Sequence, residues 1–231
     1  MLFTYWSHPE IPHPHSKAEW DKYFPGFKVF TDRDVIPLIK NKKLKTIYNS
    51  ITIPAAKSDI SRIILLLEYG GMYVDAHTGI AEREPHLLPA TLEKLSTYDI
   101  LLFGKGWERN DDEVINVMNT VIAGRSNSFL LKAILKKIFL NLERHYEKEN
   151  MTSDYVPYDV FDLTGTQTIM DTLFCKTDIF YEYRNMVKLI TMEHASSAGF
   201  EIYKHYTYRE DGKHWSELQK TKRLFDIQSK S

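Results

Sequence analysis

A chain of 231 residues with 30 basic and 31 acidic side chains is long enough to bury one sizeable core, and too evenly charged to make an overall electrostatic case for nucleic acid. A single cysteine, Cys175, excludes an intramolecular disulfide and fits a reducing compartment. No apolar run approaches the roughly 20 residues that span a bilayer, and the first residues lack a basic segment followed by an apolar one. The expectation is one domain over residues 1–231, at work in the cytoplasm or at the inner face of the membrane.

Leu2-Phe3-Thr4-Tyr5-Trp6 is rich in strand formers and runs into the turn chemistry of Ser7-His8-Pro9, so a first strand should end there. Pro9 to Pro14 reads as a short rim loop, and Phe27 to Asp32 as a second strand. Pro54 suits the first turn of a helix, where its missing N–H would be unpaired anyway, and Ile60, Ile63, Ile64 and Leu67 follow at helical spacing. The spacing predicts a helix over residues 54–69, and Leu65 and Leu66 widen its apolar surface beyond one stripe. Asp59 and Arg62, three apart, share one face of it. Gly70 and Gly71 end the helix, because glycine tolerates a left-handed exit and a tight reversal.

Met72-Tyr73-Val74 then reads as a short buried strand, which places Asp75 at the carboxyl edge of a sheet, where open α/β sheets bind ligands. Asp75 and His77, two apart, point the same way if the chain stays extended. A carboxylate and an imidazole can both serve a divalent cation, and the mixed oxygen and nitrogen set suits Mn²⁺ better than Ca²⁺, with Mg²⁺ as the alternative. Further on, Asn110 to Glu113 and residues 150–158 read as loops, and Phe129 to Lys148 as a long amphipathic helix. The basic side of that helix, Lys132, Lys136 and Lys137, is either a solvated face or a contact for anionic lipid or a lipid-linked acceptor. Thr164-Gly165-Thr166 opens another helix. Aromatic residues make up 13 % of the chain, so most must be core, although Tyr and Trp also make platforms for sugar rings.

The run from Ser58 to His77 resembles the signature of the sugar-transferring group that contains capsular polysaccharide synthesis proteins and yeast-type initiating mannosyltransferases, and it is similar to the catalytic core of the clostridial glucosylating toxins. That pattern is Ser-Asp-x-x-Arg, an apolar helix, then Gly-Gly-x-Tyr-x-Asp-x-Asp, and Ser58, Asp59, Arg62, Gly70, Gly71, Tyr73 and Asp75 match it. His77 stands where the group usually has its second Asp; Asp-x-His also occurs in metal-dependent enzymes of the same fold. The resemblance implies an α/β single-domain GT-A fold, Rossmann-like, with a mixed central sheet and flanking helices. It also implies transfer of a sugar from a nucleotide sugar, a UDP-sugar first, to a glycan or lipid-linked acceptor with retention, in bacterial surface polysaccharide synthesis.

On the same resemblance, Asp75, Asp59 and Arg62 are the catalytic set, and Asp75, His77 and His205 the metal set. The donor would be bound by Tyr5, Trp6, Ser58, Asp59, Arg62, Tyr73, Asp75, Ala76, Asn119, Gly165 and Trp215, with Trp6 stacking on the uracil. His205 and Trp215 are similar to the group's closing His and Trp, with His214 competing for the first role. Two other classes remain open on the sequence: a non-catalytic nucleotide-sugar or glycan-binding module, and a haloacid-dehalogenase-like phosphatase, to which Val74-Asp75-Ala76-His77-Thr78-Gly79 bears a passing likeness.

Overall fold

The computed structural model describes residues 1–8, 16–109, 112–174, 183–192, 197–205 and 214–227. In chain order the elements are β1 (Leu2–Tyr5), α1 (Ser16–Tyr23), β2 (Lys28–Phe30), α2 (Asp32–Val35), α3 (Lys42–Ser50), α4 (Pro54–Tyr69), β3 (Gly71–Val74), β4 (Gly79–Ile80) and α5 (Leu87–Glu93). They continue with β5 (Ile100–Arg109), β6 (Asp112–Gly124), α6 (Phe129–Asn150), α7 (Val160–Leu163), α8 (Thr166–Leu173), β7 (Val187–Thr191), β8 (Phe200–Glu201) and α9 (Trp215–Leu218). Six strands form one sheet in the order β2-β1-β3-β6-β5-β7, and β4 pairs with β8 in a second, two-stranded sheet. β1, β2 and β3 are parallel, β6 runs against both β3 and β5, and β7 is parallel to β5, so the central sheet is mixed.

Both faces of this sheet are covered, and side chains alternate between them as the pleat requires. Phe3, Tyr73, Leu102 and Ile122 pack with Ile60 and Ile63 of α4 and with Leu131 and Ile134 of α6. Leu2, Met72, Val74, Leu101, Phe103, Val121 and Ala123 pack on the other side with Trp20 of α1, Leu88 of α5 and the two short strands. Double coverage explains why the strands read as continuous apolar runs, Met72 to Val74 and Ile100 to Phe103, and not as an alternation.

The predicted helix over residues 54–69 forms with those bounds and with Pro54 in its first turn. Gly70 follows at φ 63° and Gly71 at φ 106°, the left-handed region that L side chains avoid. A Cβ on Gly71 would stand 2.0 Å from the Met1 carbonyl oxygen, so β3 can lie beside the start of β1 only with glycine there. The second strand is shorter than expected, Lys28–Phe30, because Asp32 opens α2 with Thr31 as its cap. The long helix runs to Asn150, two residues past Lys148. Asp112 and Glu113, expected in a loop, belong to β6, whereas Asn110 and Asp111, the rim loop of Pro9 to Pro14, and Cys175 lie outside the described residues. No helix among the described residues is long and apolar enough to cross a membrane.

One buried carboxylate fixes the C-terminal segment. Glu149, at the end of α6, has a fully buried side chain and accepts from the backbone N–H of Leu224 at 2.9 Å and of Phe225 at 3.2 Å. His145 Nε2 lies 3.0 Å from it and Arg223 Nε 3.4 Å. Burial would push this carboxyl up, but donation from His145 and the two amides outweighs burial and holds it below its ordinary value. A carboxyl lowered in the folded state gives stability that is complete above its unfolded value of about 4.3 and disappears as pH falls through the folded value. Glu149→Gln is therefore expected to lose about 1.5–3 kcal/mol at pH 7. It should also show a shallower loss of stability on acidification below about pH 4.5, in urea unfolding followed from pH 7 to 3. An unchanged midpoint at pH 7 would contradict the assignment.

Candidate active site

The site lies where β3 ends, at the carboxyl edge of the three parallel strands, and its centre is the guanidinium of Arg62. This cation and Asp59, three residues before it on α4, are both buried; their closest N–O approach is 3.0 Å. Arg62 also lies 3.2 Å from Asp75 Oδ1, past the end of β3, and donates to Ser58 Oγ at 3.1 Å and to Asn119 Oδ1 at 2.5 Å. Its plane covers the Tyr73 ring, 4.5 Å from the centroid. The Tyr73 hydroxyl donates to Asp75 Oδ1 at 2.6 Å and shares a 2.9 Å hydrogen bond with Ser58 Oγ. Asp59 in turn accepts from Asn119 Nδ2 at 2.7 Å and from Thr164 Oγ1 at 2.8 Å. Burial pushes the Asp59 carboxyl up against the pull of Arg62, Thr164 and Asn119. Arg62 stays a cation with its pKa raised: burial opposes its charge, and Tyr73, Asp75 and Asp59 outweigh it.

Asn119 reaches this cluster through a break in the sheet. On β5, Leu102 faces Ile122 of β6, but the next residue, Phe103, faces Met118. Asn119, Thr120 and Val121 are thus left out of the β5 ladder, the kind of irregularity that re-aims a side chain. Val121 pairs with Val74 of β3 instead, and the Thr120 carbonyl accepts from the Asp75 N–H at 2.8 Å. Thr164 follows α7, and Gly165, next to it, caps α8 with its own backbone; a Cβ on Gly165 would come within 3.0 Å of the Phe161 backbone and 3.4 Å of Asp59.

His77 Nε2 lies 3.9 Å from Asp75 Oδ2. Burial lowers the His77 pKa; Asp75 raises it only in part, and Arg62 adds to the lowering, so the imidazole is neutral at pH 7. Two donors each about 2.1 Å from one ion can be no more than about 4.2 Å apart, so this pair fits a shared divalent cation. His205 does not complete the set. Its Nε2 lies 2.5 Å from Glu19 Oε2 on α1, and what it gives His77 is a backbone contact, its N–H donating to the His77 carbonyl at 3.0 Å. Among the described residues no three His, Cys, Asp or Glu side chains converge as a metal site.

Of the other expected donor-binding residues, Trp6 stands partly exposed just past β1, its backbone N–H donating to the Phe30 carbonyl at 2.9 Å. Tyr5 lies deeper. It alternates to the α4 face and is buried there, its hydroxyl donating to Asp32 at 2.5 Å and 2.9 Å from the Tyr48 hydroxyl, so it braces α2 and α3. Ala76, between Asp75 and His77 in the turn, is buried. Trp215, first residue of α9, packs edge to face on Phe161 of α7, with centroids 5.0 Å apart. His214, the alternative to His205, hydrogen-bonds Ser216 through Nδ1 at 2.7 Å. Sequence reasoning missed Thr164 as a partner of Asp59, although it opens the quoted Thr-Gly-Thr element. It also missed Glu19, which no local pattern marks.

A family model described as a glycosyltransferase sugar-binding region containing a DXD motif matches residues 12–91, the stretch that holds Ser58, Asp59, Arg62, Tyr73, Asp75 and His77. No curated protein sequence matches. Among solved structures, the PaToxG glycosyltransferase is similar at 13 % identity and TM-score 0.47, over 75 % of this chain and 68 % of that one. The glycosyltransferase domain of the YGT toxin is similar in its ligand-free form at 14 % identity and TM-score 0.44, over 75 % of this chain and 55 % of that one. The UDP-bound form gives 14 % and 0.45, over 78 % and 56 %. This chain thus spans little more than half of the YGT domain. Over residues 12–91 the chain is thus similar to the glycosyltransferase sugar-binding region that contains a DXD motif.

Proposed function

We propose that this chain transfers a sugar from a UDP-sugar to a glycan or lipid-linked acceptor, with a divalent cation, Mn²⁺ first, held by Asp75 and His77. The observation that carries the reading is the buried Asp59–Arg62 pair with the half-buried Asp75 against it at the carboxyl edge of the parallel strands. The charge an enzyme of this class must handle is plain: breaking the anomeric bond leaves negative charge on the diphosphate and positive charge on the sugar ring. Arg62 and Asp59 are fixed by Asn119, Ser58 and Thr164, so they can meet donor hydroxyls without reorganising, a positioning role. Tyr73 and Arg62 both hold Asp75 Oδ1, which leaves its Oδ2 side turned to His77. A divalent cation bound by Asp75 Oδ2 and His77 would supply Lewis-acid stabilisation of the leaving diphosphate. Trp6, at the end of β1 beside β3, is the platform proposed for the uracil.

Retention, a bacterial surface polysaccharide as product and action at the inner face of the membrane are further parts of this reading, supported by the family resemblance. No residue is assigned as nucleophile. The proposed contact with anionic lipid or a lipid-linked acceptor would use the exposed Lys132 and Lys136 of α6.

Two outcomes test this. Asp75→Asn keeps the shape of the side chain and removes its charge, so donor hydrolysis, scored on a panel of UDP-, GDP- and CMP-sugars with Mn²⁺, should vanish while the far-UV spectrum stays native. Full turnover in that variant would contradict the site; UDP-sugar binding without turnover in the wild type would favour the binding module. In the second, UDP at 100 times its Kd with Mn²⁺ should stabilise the fold by about 2.7 kcal/mol. His77→Ala should raise the Mn²⁺ concentration needed for that shift by at least about tenfold, roughly 1.4 kcal/mol. A melting shift with UDP that ignores both Mn²⁺ and EDTA would remove the metal from the reading.

A further inference from the structure

Beyond the residues that face the donor, one carboxylate on α1 gathers the segments that build the wall of the site. Glu19 is mostly buried, and its Oε1 accepts from the Ile80 N–H at 3.1 Å and from Lys204 Nζ at 2.6 Å, while its Oε2 meets His205 Nε2. Lys204 Nζ also donates to the Ile80 carbonyl at 2.9 Å. Three pieces of chain far apart in sequence, α1, β4 and the turn after β8, are thereby joined at one point. The Trp20 indole N–H adds a fourth link by donating to the Thr78 carbonyl at 2.9 Å.

The joined segments are those that hold His77. β4 begins two residues after His77 and pairs with β8, Gly79 opposite Glu201 and Ile80 opposite Phe200. The chain then turns through residues 202–205 back to His77, where the Tyr203 ring stacks on the imidazole, centroids 5.7 Å apart and planes 10° apart. The next contact is the His205 N–H on the His77 carbonyl. Gly79 lies directly beneath the junction: a Cβ there would stand 2.5 Å from Lys204 Cδ and 3.0 Å from both Glu19 Oε2 and His205 Nε2. A methyl group there would have to displace the Lys204, Glu19 or His205 side chains. Burial works against the Glu19 charge, but Lys204, His205 and the Ile80 amide outweigh it and hold the carboxyl below its ordinary value.

We propose that Glu19 is a positioning residue for the donor site: through Lys204 and His205 it holds the 202–205 turn so that Tyr203 and the His205 amide fix His77 beside Asp75. The consequence for sugar transfer rests on the function proposed above; the consequence for His77 does not. A group that orients another residue is tested by a conservative replacement and by a signal from the oriented residue itself. Glu19→Gln keeps an oxygen for Ile80 and Lys204 and offers an amide N–H to the other tautomer of His205, so it should behave like the wild type. Glu19→Ala should release the turn.

The experiment records the His77 imidazole resonance, assigned by its loss in His77→Ala, together with UDP-sugar hydrolysis and the melting midpoint. In Glu19→Ala the His77 resonance should leave the ring-current field of Tyr203 and move toward that of an exposed histidine. Hydrolysis should fall roughly 10–100-fold, the usual effect of losing a group that orients a ligand. Glu19→Gln should restore both. If folded Glu19→Ala leaves the His77 resonance in place, or moves it with no loss of turnover, the inference is overturned; a role limited to stability would lower the midpoint alone. Should Glu19→Ala fail to fold, Lys204→Ala, which removes the cation shared by Glu19 and Ile80, makes the same measurement. A wild type without turnover on any donor would sink the transferase reading, while the resonance still decides whether Glu19 sets His77.

Discussion

A guanidinium buried beneath the sheet edge, with two carboxylates from different elements and a tyrosine face around it, is the constraint on which this structure depends. Arg62 cannot lose its charge, and burying it is costly unless partners replace water on every side. Asp59, Asp75, Ser58, Asn119 and Tyr73 are those partners. The requirement ties α4 to the end of β3 and to the break in β6, so the same contacts that satisfy the cation also set where Asp75 stands. Removing one partner of such an array leaves the others as uncompensated buried charge, which is why its geometry is fixed before any ligand arrives.

Around that centre the chain solves a second problem, which is how to hold a turn of irregular backbone. Residues 75–78 have few backbone bonds of their own; the Asp75 N–H is taken by Thr120 and the Thr78 N–H by the Asp75 carbonyl. Trp20 covers the Thr78 carbonyl from α1, and pairing of β4 with β8 anchors the backbone immediately after the turn. Thr164 and Gly165 bring the α7–α8 junction against Asp59 of α4, and the C-terminal segment is secured to α6 by Glu149. Segments widely spaced along the chain therefore brace the Asp59–Arg62–Asp75 cluster and the turn at His77.

The central helix and strand were legible because their signals are local. Helical spacing from Ile60 to Leu67, Pro54 at the start and two glycines at the end left little freedom in placing α4 and β3. Ser58, Asp59, Arg62, Tyr73 and Asp75 came together because they sit on those two elements or, for Asp75, directly after the second. Asn119 could be nominated from the resemblance but not placed, since its position depends on a register shift against β5 that no residue pattern announces. Tyr5 packs on the α4 side of the sheet, because a strand start tells the alternation but not which parity meets which face. His205 is chemically apt as a third ligand beside Asp75 and His77, but the carboxylate that takes it, Glu19, lies 186 positions away. Contacts of that separation are set by topology, and topology is what a single sequence conceals.

The most direct test of the central claim is the coupling between Arg62 and Asp75 in stability, read from urea unfolding of Arg62→Met, Asp75→Asn and the double variant. If Arg62 is the cation that joins α4 to the strand edge, the two losses should fall short of additivity by about 1–3 kcal/mol. Losses that add to within about 0.5 kcal/mol would mean that the two residues are energetically independent, and that the site is not organised around this guanidinium.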